Sequence, residues 1–424
     1  MQVTAEVNSQ ENSQTAHSPF EDGKAILVEP DLDFIRALSK RGGDLYKKCM
    51  QCGTCSATCK ISPDSKPFPS KEMAWAAWGM KDRLLRDPDV WLCFHCNDCS
   101  TRCPRGARPG DVLGAVRQES VIYHSFPRFL GRWVNQPQFI PILLSIPIIL
   151  LSSALYLKDP IEKAMGISNF TGDRITFNYS NIFPHWLLNT FFLLISILVL
   201  VAIIIGIKRF WHTLKAMAEP GVMNKPVKGL FKSFTIALKK IIIHKNFDKC
   251  KTNHNRYLSH MFVFFGFIAL SVVTLWVITS GFNPLIKSDF VYPFGFWSPW
   301  KVLANLGGLS LLAGLFLMIL DRYSDKEHTS VGTYFDWTLI TILSVVTITG
   351  FMTEILHYVR LEPHRHVAYF THLVFICSLI LYFPYSKFAH MIYRTVAMIF
   401  AEYSGRTDSN GNSLLEKTLG RGSK

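Results

Sequence analysis

Apolar residues crowd the chain from Gln138 onward, in six stretches near 138–157, 184–207, 257–281, 301–320, 335–358 and 367–387. Each has the roughly 20 residues that cross a bilayer as a helix. Pro141 and Pro147 interrupt the first, which membrane helices tolerate. Ahead of them the pattern is shorter and amphipathic. Asp31 to Leu38 predicts a helix with Asp31 as its N-cap. Ser70 to Gly79 predicts another, with Gly79 near its C-terminal cap. No strand-like alternation interrupts this region, so the pattern predicts an all-α chain. A small helical domain spans 31–126 and a six-helix membrane bundle spans 127–402. The polar ends, 1–30 and 403–424, read as disordered tails.

Composition sharpens that division. The 424 residues are 49% hydrophobic, and the mean hydropathy of +0.19 is high for a soluble protein. A net charge of +14 raises the question of nucleic acid. The positions of the charges answer it, because Lys208 to Arg256 carries twelve Lys or Arg against Glu219 and Asp248. A basic loop between two apolar spans marks the cytoplasmic face of a membrane, and leaves no case for nucleic acid. An even number of spans then puts the small domain and both termini on the cytoplasmic side. Val227 to His244 alternates apolar and basic residues, which suits a helix lying in the lipid interface or docked on the small domain.

Eight of the ten cysteines form two copies of one spacing. They are Cys49-x2-Cys52-x2-Cys55-x3-Cys59 and Cys93-x2-Cys96-x2-Cys99-x3-Cys103, the second followed by Pro104. Structural zinc takes two close cysteines and a distant pair, and disulfides need an oxidising compartment; nothing like a signal peptide precedes this region. Three thiolates two residues apart suit a 4Fe–4S cluster, and in two-cluster ferredoxins the last cysteine of each run crosses to the other cluster. Cys49, Cys52, Cys55 and Cys103 are therefore expected on one cluster, and Cys93, Cys96, Cys99 and Cys59 on the other. Cys250 and Cys377 read as ordinary thiols.

A histidine inside an apolar span is expensive unless paired or ligated. His372 and His390 are five helical turns apart, so on a straight helix they share a face about 27 Å apart, bent by Pro384. This suits two haems b, one near each surface. Depth pairs His260 with His390 on the inner haem, and His372 with His357 on the outer, with His185 as the alternative. Glu354 and His357 share one helix face where a quinone headgroup could dock, making Glu354 a candidate proton carrier for quinol. His95, His124, His364 and His366 read as incidental or solvated. The fold read from these residues is a two-cluster α-helical ferredoxin domain followed by a cytochrome b bundle.

The second run, with Trp91-Leu-Cys-Phe-His-Cys-Asn-Asp-Cys-Ser-Thr-Arg-Cys-Pro-Arg-Gly around it, resembles the iron–sulfur C subunit of heterodisulfide reductase. Thr371 to His390 resembles the last helix of the nitrate reductase gamma-type cytochromes b, which implies haem ligation by His372 and His390. His260 fits that family's early haem histidine; Leu270 stands where the family has a second one. A chain that fuses both modules is similar to the C-subunit family of the quinone-interacting membrane-bound oxidoreductases. That resemblance implies two cytoplasmic flavin and iron–sulfur subunits as partners. It also implies electron exchange between menaquinol and adenylylsulfate reductase in sulfate respiration. Two other readings share these residues: a subunit of a heterodisulfide- or sulfite-reductase-linked complex, and a redox-sensing transporter or proton channel. The few charges inside the spans favour a cytochrome over a pore.

Overall fold

The computed structural model describes residues 29–62, 67–164, 179, 183–217, 228–243, 254–282, 295–324, 332–361 and 363–406. The N-terminal tail before residue 29, the polar end after 406 and Cys250 lie outside them. Among the described residues there is helix and no strand. The cysteine-bearing part is built from α1 (Leu32–Leu38), α2 (Thr54–Thr58), α3 (Ser70–Ala77), α4 (Lys81–Arg86), α5 (Asp89–Leu92), α6 (Asp98–Thr101) and α7 (Pro109–His124). A connector, α8 (Arg128–Val134), leads to α9 (Ile140–Tyr156) and α10 (Lys158–Ala164). Then come α11 (His185–Met217), α12 (Leu230–Ile243), α13 (His254–Phe282), α14 (Pro299–Ser324), α15 (Tyr334–Val359), α16 (His364–Tyr382) and α17 (Ala389–Tyr403).

Local chemistry explains the short helices. The Asp31 carboxylate accepts the Phe34 N–H at 2.8 Å, capping α1. Gly79, at φ +65°, turns the chain left-handed just beyond α3. α7 is the spine: Val112, Leu113 and Val116 are fully buried and join Phe34, Leu38 and Met73 in one core.

Among the described residues six helices are long and apolar enough to cross a membrane, the first Pro137–Tyr156 and the last His364–Tyr403. Their outward residues remain apolar, with Leu194 and Leu198 exposed on α11, as a lipid-facing surface requires. The last of them is not one rod. A short 3-10 segment, Phe383–Tyr385, separates α16 from α17 at Pro384. The straight-helix relation between His372 and His390 is therefore corrected: the two stand on different helices.

The cysteine-bearing part and the long apolar helices share one core. Trp91, 2% exposed, packs 5.4 Å from Tyr393 and 6.1 Å from Phe210. Burying such a side chain contributes roughly 2–3 kcal/mol, so the cysteine-bearing part is fastened to the ends of α11 and α17. Gly405 and Arg406 also fold back, Arg406 pairing with the buried Asp89; this much of the polar end is ordered. α12 packs on α17 rather than on the ferredoxin-like helices, its Lys240 and the nearby Lys228 both reaching Glu402 at 2.5 Å. Its Phe231 and Ile242 point outward, leaving an apolar face for lipid.

Candidate iron–sulfur centres and membrane histidines

The two cysteine runs adopt one backbone shape. Gln51 (φ 57°) and Gly53 (φ 77°) in the first run match His95 (φ 55°) and Asn97 (φ 68°) in the second. Each left-handed pair curls the loop before a short helix, α2 or α6, and these two helices pack together. Asparagine tolerates this region better than most side chains. Asn97 can therefore do what Gly53 does.

One small pocket is lined by Cys49, Cys52, Cys55 and Cys103. A second is lined by Cys59, Cys93, Cys96 and Cys99. Each takes three thiols from one run and the fourth from the other. Burial and the neighbouring Cys49 push Cys55 up to about 11, and burial with Cys93 nearby pushes Cys59 up to about 12. Crowded thiols that resist ionising alone are a donor set for a soft cation, and this spacing suits iron. Backbone amides point at the sulfurs: His95 N–H at Cys93 Sγ and Ala107 N–H at Cys103 Sγ, both 3.3 Å.

Three arginines grip the second run. Arg117 on α7 and Arg394 on α17 donate to the Cys93 carbonyl, at 2.9 and 3.1 Å. Arg256 on α13 donates to the His95 carbonyl. The Arg394 guanidinium also lies 4.0 Å over the Phe94 ring. The sequence reading missed these residues. Arg117 lies 24 residues from Cys93, but the partners of Arg256 and Arg394 are 161 and 301 residues away; one local signal was present, since Arg256 and Arg394 each sit one turn from a histidine, His260 and His390. His95 is not incidental, since its Nε2 lies 3.1 Å from Asp111 on α7.

The histidines differ in their support. His372 Nδ1 lies 3.0 Å from the Thr349 hydroxyl, and His390 Nδ1 lies 2.5 Å from the Lys387 carbonyl. Either contact fixes a ring and leaves Nε2 for a metal, the arrangement metal-ligating imidazoles use. His260 is half-buried, 6.2 Å from the Phe264 ring. His357 is different. Its Nδ1 is buried without a hydrogen-bond partner, and Tyr179 packs 5.4 Å from it. Tyr179 also stacks on Tyr369 of α16 at 4.4 Å, so His357 and Tyr369 share one aromatic neighbour. The side chain of His185 lies outside the described ones. Glu354 is tied to α14, with Lys301 Nζ at 3.2 Å and Asn305 Nδ2 at 3.2 Å.

A family model described as citrate utilization protein B matches residues 142–410. The chain belongs to the citrate utilization protein B family. Citrate utilization protein B of Escherichia coli is 23% identical over 393 residues, covering 88% of this chain and 92% of that protein. A 4Fe–4S dicluster domain model matches residues 46–107, ahead of the membrane part of this family member. Over that region the chain is 35% identical to the C subunit of the H(2):CoB-CoM heterodisulfide,ferredoxin reductase of Methanothermobacter marburgensis, across 91 residues, 21% of this chain and 49% of that relative. The iron-sulfur C subunit of the CoB–CoM heterodisulfide reductase of Methanopyrus kandleri is 28% identical over 102 residues, 22% and 53%. The match thus spans about half the length of these two relatives. No solved structure matches the chain. The dicluster match and these relatives support an electron-transfer role with 4Fe–4S clusters.

Proposed function

We propose that this chain is the membrane electron-transfer subunit of a quinone oxidoreductase, working between menaquinol and cytoplasmic flavin and iron–sulfur subunits through haem b and two 4Fe–4S clusters. In this reading Cys49, Cys52, Cys55 and Cys103 hold one cluster, and Cys59, Cys93, Cys96 and Cys99 the other. His260 and His390 ligate the inner haem and His372 the outer one. Bound there, the clusters and haems supply one-electron carriers. His357 supplies the second ligand of the outer haem in this reading, with His185 as the alternative. Glu354 carries the quinol proton, its charge balanced by Lys301. The basic residues of 208–256 support a cytoplasmic position for the cysteine-bearing part.

One observation carries the reading. Arg256 and Arg394 bind the backbone of the second cysteine run, and each lies one helical turn from a membrane histidine. The second cysteine run and the helices that carry His260 and His390 are thereby tied together. The resemblance to quinone-interacting complexes extends the reading to adenylylsulfate reductase as the far partner. The likeness over most of the chain to citrate utilization protein B favours a second destination, a partner enzyme of citrate utilization.

Pyridine haemochrome counting and menaquinol titration of the purified chain test this reading. Haem that quinol reduces is expected, and Glu354→Gln should slow quinol turnover at unchanged haem content. A chain without haem sinks the membrane half of the proposal.

A further inference from the structure

The two cysteine cavities face different surroundings. The one formed by Cys59, Cys93, Cys96 and Cys99 is backed by arginines from α7, α13 and α17. The one formed by Cys49, Cys52, Cys55 and Cys103 has an exposed outer wall. Cys52 is exposed and Met50 beside it is 62% exposed. Lys47, Lys48, Arg102 and Arg105 around its mouth are all exposed. Across 44–60 and 102–108, the segments that frame it, Asp44 is the one acidic residue.

We propose that this face is the docking surface for a soluble redox partner that presents an acidic patch, which makes the pocket of Cys49, Cys52, Cys55 and Cys103 the exchange point. The inference rests on the iron–sulfur reading above. An apolar centre at Met50 ringed by cations has the make-up of a transient electron-transfer contact, small in area and steered by charge. One electron crosses in each encounter: the chain is oxidised by one, the partner is reduced by one, and no bond forms or breaks. Lys48 and Arg105 supply attraction that salt screens over about 10 Å.

The full-length chain in detergent, reduced with dithionite and desalted, would be mixed in a stopped-flow instrument with oxidised rubredoxin, a small acidic one-electron acceptor. Cytochrome c, a basic acceptor, serves as the opposite probe. The rubredoxin rate should fall about tenfold between low salt and about 0.2 M, while the cytochrome c rate does not fall. Lys48→Glu with Arg105→Glu should slow rubredoxin about tenfold and speed cytochrome c, whereas Lys232→Glu with Lys239→Glu, on exposed positions of α12, should change neither. A salt-independent rubredoxin rate, or equal slowing by the α12 pair, overturns the docking surface. Should the Lys48 and Arg105 variant lose its metal, the salt dependence of the unmodified chain decides alone. Electron paramagnetic resonance separates the two failures. An unmodified reduced chain without cluster signals defeats the iron–sulfur reading, while cluster signals with salt-independent kinetics defeat only the docking surface.

Discussion

His124 shows what burial does to a single side chain at the joint between the two parts. Its Nδ1 donates to the Ser120 carbonyl at 2.8 Å, and its Nε2 lies 3.3 Å from the Thr213 hydroxyl on α11. Burial pushes its pKa from 6.5 down to about 4, against the Ser120 carbonyl, which favours the proton, and with Arg128 and Arg209, which repel it. The folded state therefore binds fewer protons than the unfolded state between those two values. Stability tied to the neutral ring is complete above about 6.5 and is lost as pH falls toward 4. By about pH 5 the loss is on the order of 2 kcal/mol. Thermal unfolding followed from neutrality to about pH 5 should show this acid sensitivity, and His124→Gln should flatten the profile while lowering stability at neutrality. Parallel profiles for the two proteins would remove His124 from the joint. The sequence marked His124 as incidental because its partners, Ser120 aside, come from a helix almost ninety residues away.

Among the elements, α13 and α14 approach most closely through small residues, as membrane helices do in the absence of a hydrophobic drive. A Cβ at Gly266 would stand 2.6 Å from the Gly307 carbonyl oxygen, and one at Gly314 would stand 2.7 Å from the Ser259 carbonyl oxygen. Ser259 precedes His260, so the glycine contact sets the height of that histidine. Gly314→Ala should force α13 away by a few tenths of an ångström and lower haem content, with the cysteine sites untouched. Iron counted separately as haem and as non-haem iron checks this; a matched loss of both would mean general misfolding instead. Hydrophobic runs revealed all six long helices because their length alone decides that question. They could not reveal the break at Phe383–Tyr385 in full. A proline admits a bend as well as a stop, and here the packing of Tyr385 and Phe388 chose the stop. Nor could they choose the docking site of α12, which the buried Glu402 on α17 determines.

At the scale of the molecule, the cysteine spacing was the most legible feature, because cluster ligation imposes a local geometry that two runs repeat. The coupling between halves was not legible. Arg394 and Cys93 are 301 positions apart, and no local pattern records such a contact. That coupling also makes the strongest demand on the proposed function. If His260 and His390 hold the carrier nearest the arginine-bound run, His390→Ala should leave both cysteine sites assembled yet cut them off from the membrane. Dithionite, which needs no membrane route, should still reduce the clusters and give their usual resonance signals. Menaquinol should no longer do so, while Arg394→Gln, which keeps the histidine but loosens the loop, should give an intermediate rate. Stopped-flow spectra at haem and iron–sulfur wavelengths follow both steps. Cluster reduction by quinol at the unmodified rate in His390→Ala would show that electrons enter elsewhere. The arginine grip would then be a structural fastening, with the exposed Cys52 face left as the common door for entry and exit.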